Sequence, residues 1–312
     1  MRYRILLFIC LLPILSCTHK ELCYDAPKGR VSVNVKFVWD RAPEADPEQM
    51  SLYLYPLEGG EVERFDFSGR EGGLIQINPG EYRAIGFNSD RETILLKDFE
   101  DFHNFKAYTN ETDLEGVGIG SGISSGVPRT ILAADDPLVL APESFYSDAR
   151  EDIKILPKAD QEIVLHPFDR TMTITIDIRE VKNLSSIRRM RGTLSGLNRY
   201  IYLKGIEENE YQAMIPFDLN KNGGTSLHEV VRTFAPTAKS GVKYSFSVYA
   251  WLASGARKYV HFDITDQIMA QKGEKNIHVV IDKLDIRDDG GNGGGFNASI
   301  NTWEDVYSSI WM

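Results

Sequence analysis

Apolar residues recur at every second position along most of this chain. Val31, Val33, Val35 and Phe37 alternate with Ser32, Asn34 and Lys36, the period of a strand with one buried face. Met172 to Ile178 alternates most cleanly, set against Thr171, Thr173, Thr175 and Asp177. Met50 to Leu57 and Val62 to Phe67 flank Glu58-Gly59-Gly60-Glu61, which predicts a hairpin because paired glycines supply positive φ. Leu74 to Ile77 and Tyr82 to Asn88 flank Asn78-Pro79-Gly80-Glu81, a type II turn sequence that predicts a second hairpin. Further strands are expected at Thr93 to Leu96, Phe102 to Tyr108, Ile163 to His166, Arg199 to Lys204, Glu210 to Phe217, Val242 to Leu252, Lys258 to Ile264 and Lys275 to Leu284. Asn183 to Arg191 reads as a short helix capped by Asn183 or Ser185, and Leu227 to Phe234 fits helix or strand.

About a dozen short strands with turn signals and almost no helix predict an all-β protein of two tandem β-sandwiches. The chain divides into a signal at 1–16, a tether at 17–30, an N-terminal sandwich at 31–167, a C-terminal sandwich at 168–287, and a spacer with tail at 288–312. The boundary falls near Pro167, before the clearest strand. Glu115 to Arg129 is glycine-rich and weakly apolar and runs on to Pro142 without periodicity, which reads as a long loop. Asp288 to Gly295 is a flexible spacer. In the tail that follows, Phe296, Ala298 and Ile300 alternate like a strand, while Trp303, Val306, Tyr307, Ile310 and Trp311 share helical spacing.

The first residues change where this body is placed. Arg2 and Arg4 precede the apolar run Ile5 to Leu15, which ends on Ser16-Cys17. A short basic region and an apolar stretch too short to span a bilayer make a secretion signal. Ile14-Leu15-Ser16-Cys17 resembles a bacterial lipobox, which implies cleavage before Cys17 and a lipid on its thiol; an ordinary cleaved signal is the alternative. Of three cysteines, only Cys23 then remains unassigned, so no internal disulfide is expected in the body. The formal charge of −10 argues against nucleic acid and anionic lipid as partners.

Candidate chemistry is sparse. His19, His103, His166, His228, His261 and His278 are scattered, without zinc spacing. Gly116, Gly118, Gly120 and Gly122 fit no phosphate-binding fingerprint. Asp218, Asn220, Asn222, Gly223 and Glu229 satisfy the calcium-loop pattern. Pro216 and Phe217 occupy the place of the entering helix, so an Asn/Gly-rich turn is the other reading. No catalytic residue, metal ligand or cofactor is assigned. Tyr53, Tyr55, Tyr249 and Trp251 would serve as an aromatic platform for sugars, or else as core.

Several stretches resemble the fimbrillin-like lipoproteins of Gram-negative bacteria, including the minor-fimbrium anchor family. They are Ser51 to Gly60, Ile77-Asn78-Pro79-Gly80-Glu81-Tyr82-Arg83-Ala84, Arg170 to Ile178, Gly273 to Val279, and the start Cys17 to Asp25. The resemblance implies two transthyretin-like (Greek-key) sandwiches at the outer membrane, with Cys17 carrying the lipid. It also implies a role in adhesion with fimbrial subunits as partners, and assembly by β-strand addition. Phe296 to Met312 sits where a family donor strand would be. Its two tryptophans and helical spacing depart from that pattern, so docking on its own domain is expected. The leading expectation is therefore a non-enzymatic anchor or cap of a fimbria-like assembly. A glycan-binding surface lipoprotein of a nutrient-uptake system is the alternative.

Overall fold

The computed structural model describes residues 29–112, 136–158, 160–205, 212–221, 224–234 and 241–286, with the backbone of 296–298. Its first half holds β1 (Val31–Phe37), β2 (Gln49–Pro56), β3 (Glu63–Ser68), β4 (Gly72–Ile77) and β5 (Gly80–Asn88). Then come β6 (Ile94–Lys97), β7 (Lys106–Thr109), β8 (Tyr146–Ile155), β9 (Gln161–Leu165) and β10 (Phe168–Asp169). These form a three-stranded sheet β4-β1-β9 facing a five-stranded sheet β10-β8-β5-β2-β3. The alternation in β1 is what buries Val33, Val35 and Phe37 against Met50, Leu52 and Leu54 of β2.

The second half begins with β11 (Thr171–Ile178), β12 (Val181–Lys182), β13 (Ile187–Asn198), β14 (Tyr200–Tyr202) and β15 (Gln212–Asp218). It continues through β16 (Leu227–Phe234), β17 (Ser245–Leu252), β18 (Arg257–Asp263), β19 (Asn276–Ile281), β20 (Leu284–Asp285) and β21 (Phe296–Ala298). A sheet β16-β11-β19 packs on a sheet β15-β13-β17-β18-β21. Ile174, Ile176 and Ile178 of β11 meet Leu194, Phe246 and Val248 in this core. A helix, Thr265–Ala270, joins β18 to β19.

A third apolar cluster joins the two sandwiches. Odd positions of β2 send Tyr53 and Tyr55 to the opposite face from Leu52 and Leu54, where they meet Phe87, Phe102, Phe105 and Phe145, with Leu203 and Phe234 from the second half. The Tyr53 ring lies 5.2 Å from Phe105 and 5.8 Å from Phe87, centroid to centroid. Strand pairing crosses the same seam, because β14 adds to β7 in the sheet β14-β7-β6. Burial of each such ring contributes about 1.5–3 kcal/mol, so the seam is a substantial joint.

Several expectations are corrected here. Asn78 to Glu81 is a crossover and not a hairpin, since β4 pairs with β1 while β5 pairs with β2 and β8. Asn183 to Arg191 holds a single 3₁₀ turn, Leu184–Ser186, followed by β13. A register shift between Ile187 and Arg189 breaks the alternation, so Ile187 and Met190, three apart and both buried, mimicked helical spacing. β8 was not anticipated: Asp148, Arg150, Glu151 and Asp152 hide its period, and main-chain pairing with β5 makes it a strand. Phe168 and Asp169, assigned from sequence to the second sandwich, pair with Ser147 and Tyr146 of β8 in the first.

Candidate functional site

A sheet edge is the natural receiving site for an extended partner, because it presents unpaired N–H and C=O groups. Three edges of the second half are covered from within among the described residues. The edge of β18 is covered by β21, running parallel with Arg257 opposite Phe296 and Tyr259 opposite Ala298. The edge of β15 is met by the segment Pro137 to Val139: Met214 N–H donates to the Pro137 carbonyl and Val139 N–H to the Met214 carbonyl, both at 2.9 Å. β19 is closed by side chains, with the Gln267 and Gln271 amides bonded to the main chain of Val280 and His278.

The N-terminal sandwich guards its edges with charge. β9 has the Arg150 guanidinium on its outward Val164 carbonyl at 3.2 Å. β3 carries Glu63, Arg64 and Asp66, with Arg64 and Asp66 paired at 2.9 Å. On β4, Arg30 donates to the Gln76 carbonyl. Charged side chains at edges discourage strand pairing.

β16 is different. Its eight residues pair with β11 throughout, from Leu227 opposite Ile178 to Phe234 opposite Thr171. Among the described residues, nothing pairs with its other side. It is the longest such edge in the described fold. Leu227 and Val231 are buried in the core, whereas Val230 points outward and is 54% exposed. His228, bonded to Asp177 at 2.7 Å, and Arg232, which donates to Thr171 Oγ1, flank it on the outer face. An added strand would therefore meet an apolar position between two basic or titratable ones. The adjacent Val230-Val231 breaks strict alternation, which is why sequence pattern left this stretch ambiguous.

The residues singled out from sequence fall into other places. Cys17 and Gly116 to Gly122 lie outside the described residues, as do Asn222 and Gly223 of the calcium pattern. Asp218 pairs instead with Arg191 at 2.8 Å and Arg189 at 3.8 Å, and Glu229 accepts the Asn220 N–H at 2.9 Å. No group of three His, Cys, Asp or Glu among the described residues is arranged to hold a metal ion. The aromatic platform does not form. Tyr53 and Tyr55 fill the seam, and Tyr249 is buried against Tyr259, with ring centroids 5.1 Å apart. Burial pushes the Tyr55 hydroxyl far above its ordinary range and that of Tyr249 up to about 12, so both stay protonated and act as hydrogen-bonding core groups.

A family model described as a domain of unknown function, DUF5119, matches residues 16–218. A relative from Bacteroides ovatus, provisionally named fimbrium anchoring subunit Fim4B, is 23% identical over 188 residues, 60% of this chain and 51% of the relative. The chain thus spans about half the length of that relative. Two crystal structures provisionally described as adhesins share the fold. One, from Bacteroides ovatus, is 18% identical with TM-score 0.67, covering 88% of this chain and 97% of its own. The other, from Bacteroides thetaiotaomicron, is 12% identical with TM-score 0.52, covering 82% and 92%. The all-β sandwich expectation is borne out by them, and the resemblance to fimbrium anchors by the relative.

Proposed function

The chain belongs to the DUF5119 family, and on that premise we propose that it is a non-enzymatic surface lipoprotein that anchors or caps a fimbria-like assembly by β-strand addition. The observation that carries this reading is the eight-residue edge of β16, the longest edge left without a partner strand among the described residues. The name of the Bacteroides ovatus relative points the same way. Cys17 is the lipidation site in this reading, and the outer membrane is where it holds the body. Its partner is a fimbrial subunit that supplies an extended segment to β16.

Strand-exchanged sandwiches dissociate slowly, because many main-chain hydrogen bonds must break together. The test is gentle extraction of the tagged protein from its own membrane, followed by denaturing gels with and without boiling. The expected result is a set of high-mass species that collapses only on boiling and is lost with Val230→Lys, which places a charge on the open edge. Monomer under both conditions would contradict the proposal. Incorporation of a labelled fatty acid into the wild type, absent in Cys17→Ser, tests the anchor separately.

A further inference from the structure

The sheet β16-β11-β19 has two edges, and they are treated differently. β16 is open. On β19, His278 and Val280 turn their main-chain groups away from β11, because the ladder to β11 uses the alternate residues, such as Lys275 and Ile281. All four outward groups are taken by two side chains. Val280 N–H donates to Gln267 Oε1 at 2.8 Å, and Gln267 Nε2 donates back to the Val280 carbonyl at 3.0 Å. His278 N–H donates to Gln271 Oε1 at 2.9 Å, and Gln271 Nε2 returns a bond to the His278 carbonyl at 2.8 Å.

The match is geometric. Residues four apart on a helix are separated by about 6 Å along its axis, and outward-facing residues two apart on a strand by about 6.6 Å. A side-chain amide carries a donor and an acceptor together, as a peptide group does. Two glutamines at this spacing therefore reproduce the bonding of a partner strand. Gln267 lies in the helix Thr265–Ala270 and Gln271 is its C-cap, and this helix is fixed to the fold. Ile268 between them is 1% exposed in the core, and the preceding Thr265 hydroxyl accepts the Tyr244 N–H at 2.9 Å.

With both edges open, β16 of one copy would pair with β19 of the next. Such a head-to-tail contact is heterologous, so it joins successive copies into a ring or a filament. We propose that Gln267 and Gln271 are an edge lock, closing β19 to a strand from a second copy of this chain and making the sheet a one-ended acceptor. This rests on the reading of β16 as the receiving edge and adds why growth stops at this subunit.

The test is the double variant Gln267→Ala/Gln271→Ala of the full lipidated protein in detergent, compared with wild type by light scattering and hydrogen exchange. For the variant, the average mass is expected to rise at least about twofold over a tenfold increase in protein concentration, while wild type stays constant. The amides of His278 and Val280 are expected to lose protection selectively in dilute variant, which separates an opened edge from a failed fold. Adding Val230→Lys should return the variant to constant mass, because β16 is the other half of the contact. The proposal is overturned if the variant exchanges rapidly at both amides yet keeps constant mass, if those amides stay protected, or if Val230→Lys leaves the association intact. Failure of wild type to capture a subunit at β16 would count against the functional reading alone, since that experiment never opens β19.

Discussion

Arg170 Nη2 donates to the Tyr202 carbonyl at 2.7 Å across the seam between the sandwiches. The same guanidinium also reaches the Gly205 carbonyl at 2.9 Å, Ser147 Oγ at 2.9 Å and the Leu203 carbonyl at 3.2 Å. Arg170 is only 6% exposed, and burial lowers its pKa to about 10, so it remains charged at neutral pH. Its planar fork satisfies carbonyls from one half of the chain and a hydroxyl from the other. Arg170→Leu leaves these acceptors buried without donors, and the expected loss is about 3 kcal/mol of unfolding free energy in urea titration. Arg170→Lys should recover only part of it, having a single nitrogen to place.

Gly196 sits at the bulge of β13 with φ +82°, and a Cβ there would stand 2.4 Å from the Lys243 carbonyl oxygen. That neighbour is backbone and cannot swing aside. Gly196→Ala is expected to cost about 2 kcal/mol or more from left-handed strain and the contact, read as a lowered thermal midpoint. Gly59→Ala, also at positive φ but with open space around it, should cost less, about 1 kcal/mol.

His261 accepts or shares hydrogen bonds with Ser247 at 3.1 Å and Tyr259 at 3.3 Å. Burial holds its pKa below the ordinary 6.5, with Asp263 opposing the shift. A depressed histidine pKa means that the unfolded chain binds the proton more readily. Its contribution to stability is therefore complete above pH 6.5 and declines as pH falls below that value toward the folded pKa. Denaturation titrations at pH 7.5 and pH 5 should show a smaller pH-dependent loss for His261→Gln than for wild type.

Truncation after Arg287 removes β21 and uncovers β18. Amides in Arg257 to Tyr259 that face β21 are expected to exchange faster, with those of β13 unchanged. Equal exchange in the truncated and full chains would mean that the tail does not protect this edge.

Legibility of this fold followed where burial is one-sided. β1 and β11 read plainly because one face of each meets a core and the other carries polar side chains. β2 is buried on both faces, Leu52 and Leu54 in the sandwich and Tyr53 and Tyr55 in the seam. Its aromatics therefore read equally as core or as a sugar platform. β8 is charged and was invisible, since its place is set by main-chain pairing that leaves no side-chain period. The edge of β16 was obscured for a related reason, because whether an edge is paired depends on what lies beside it and not on its own residues. Gln267 and Gln271 look like ordinary helix-surface glutamines until β19 is placed against them.

The central claim is that β16 receives a strand. Hydrogen exchange on wild type, alone and in the complex isolated without boiling, tests it most directly. Alternate amides in Leu227 to Phe234 point away from β11. The account predicts that these amides exchange rapidly in the free protein and become protected in the complex, while those facing β11 are protected in both. A complex in which the outward amides of β16 remain as fast as in the free protein would contradict it.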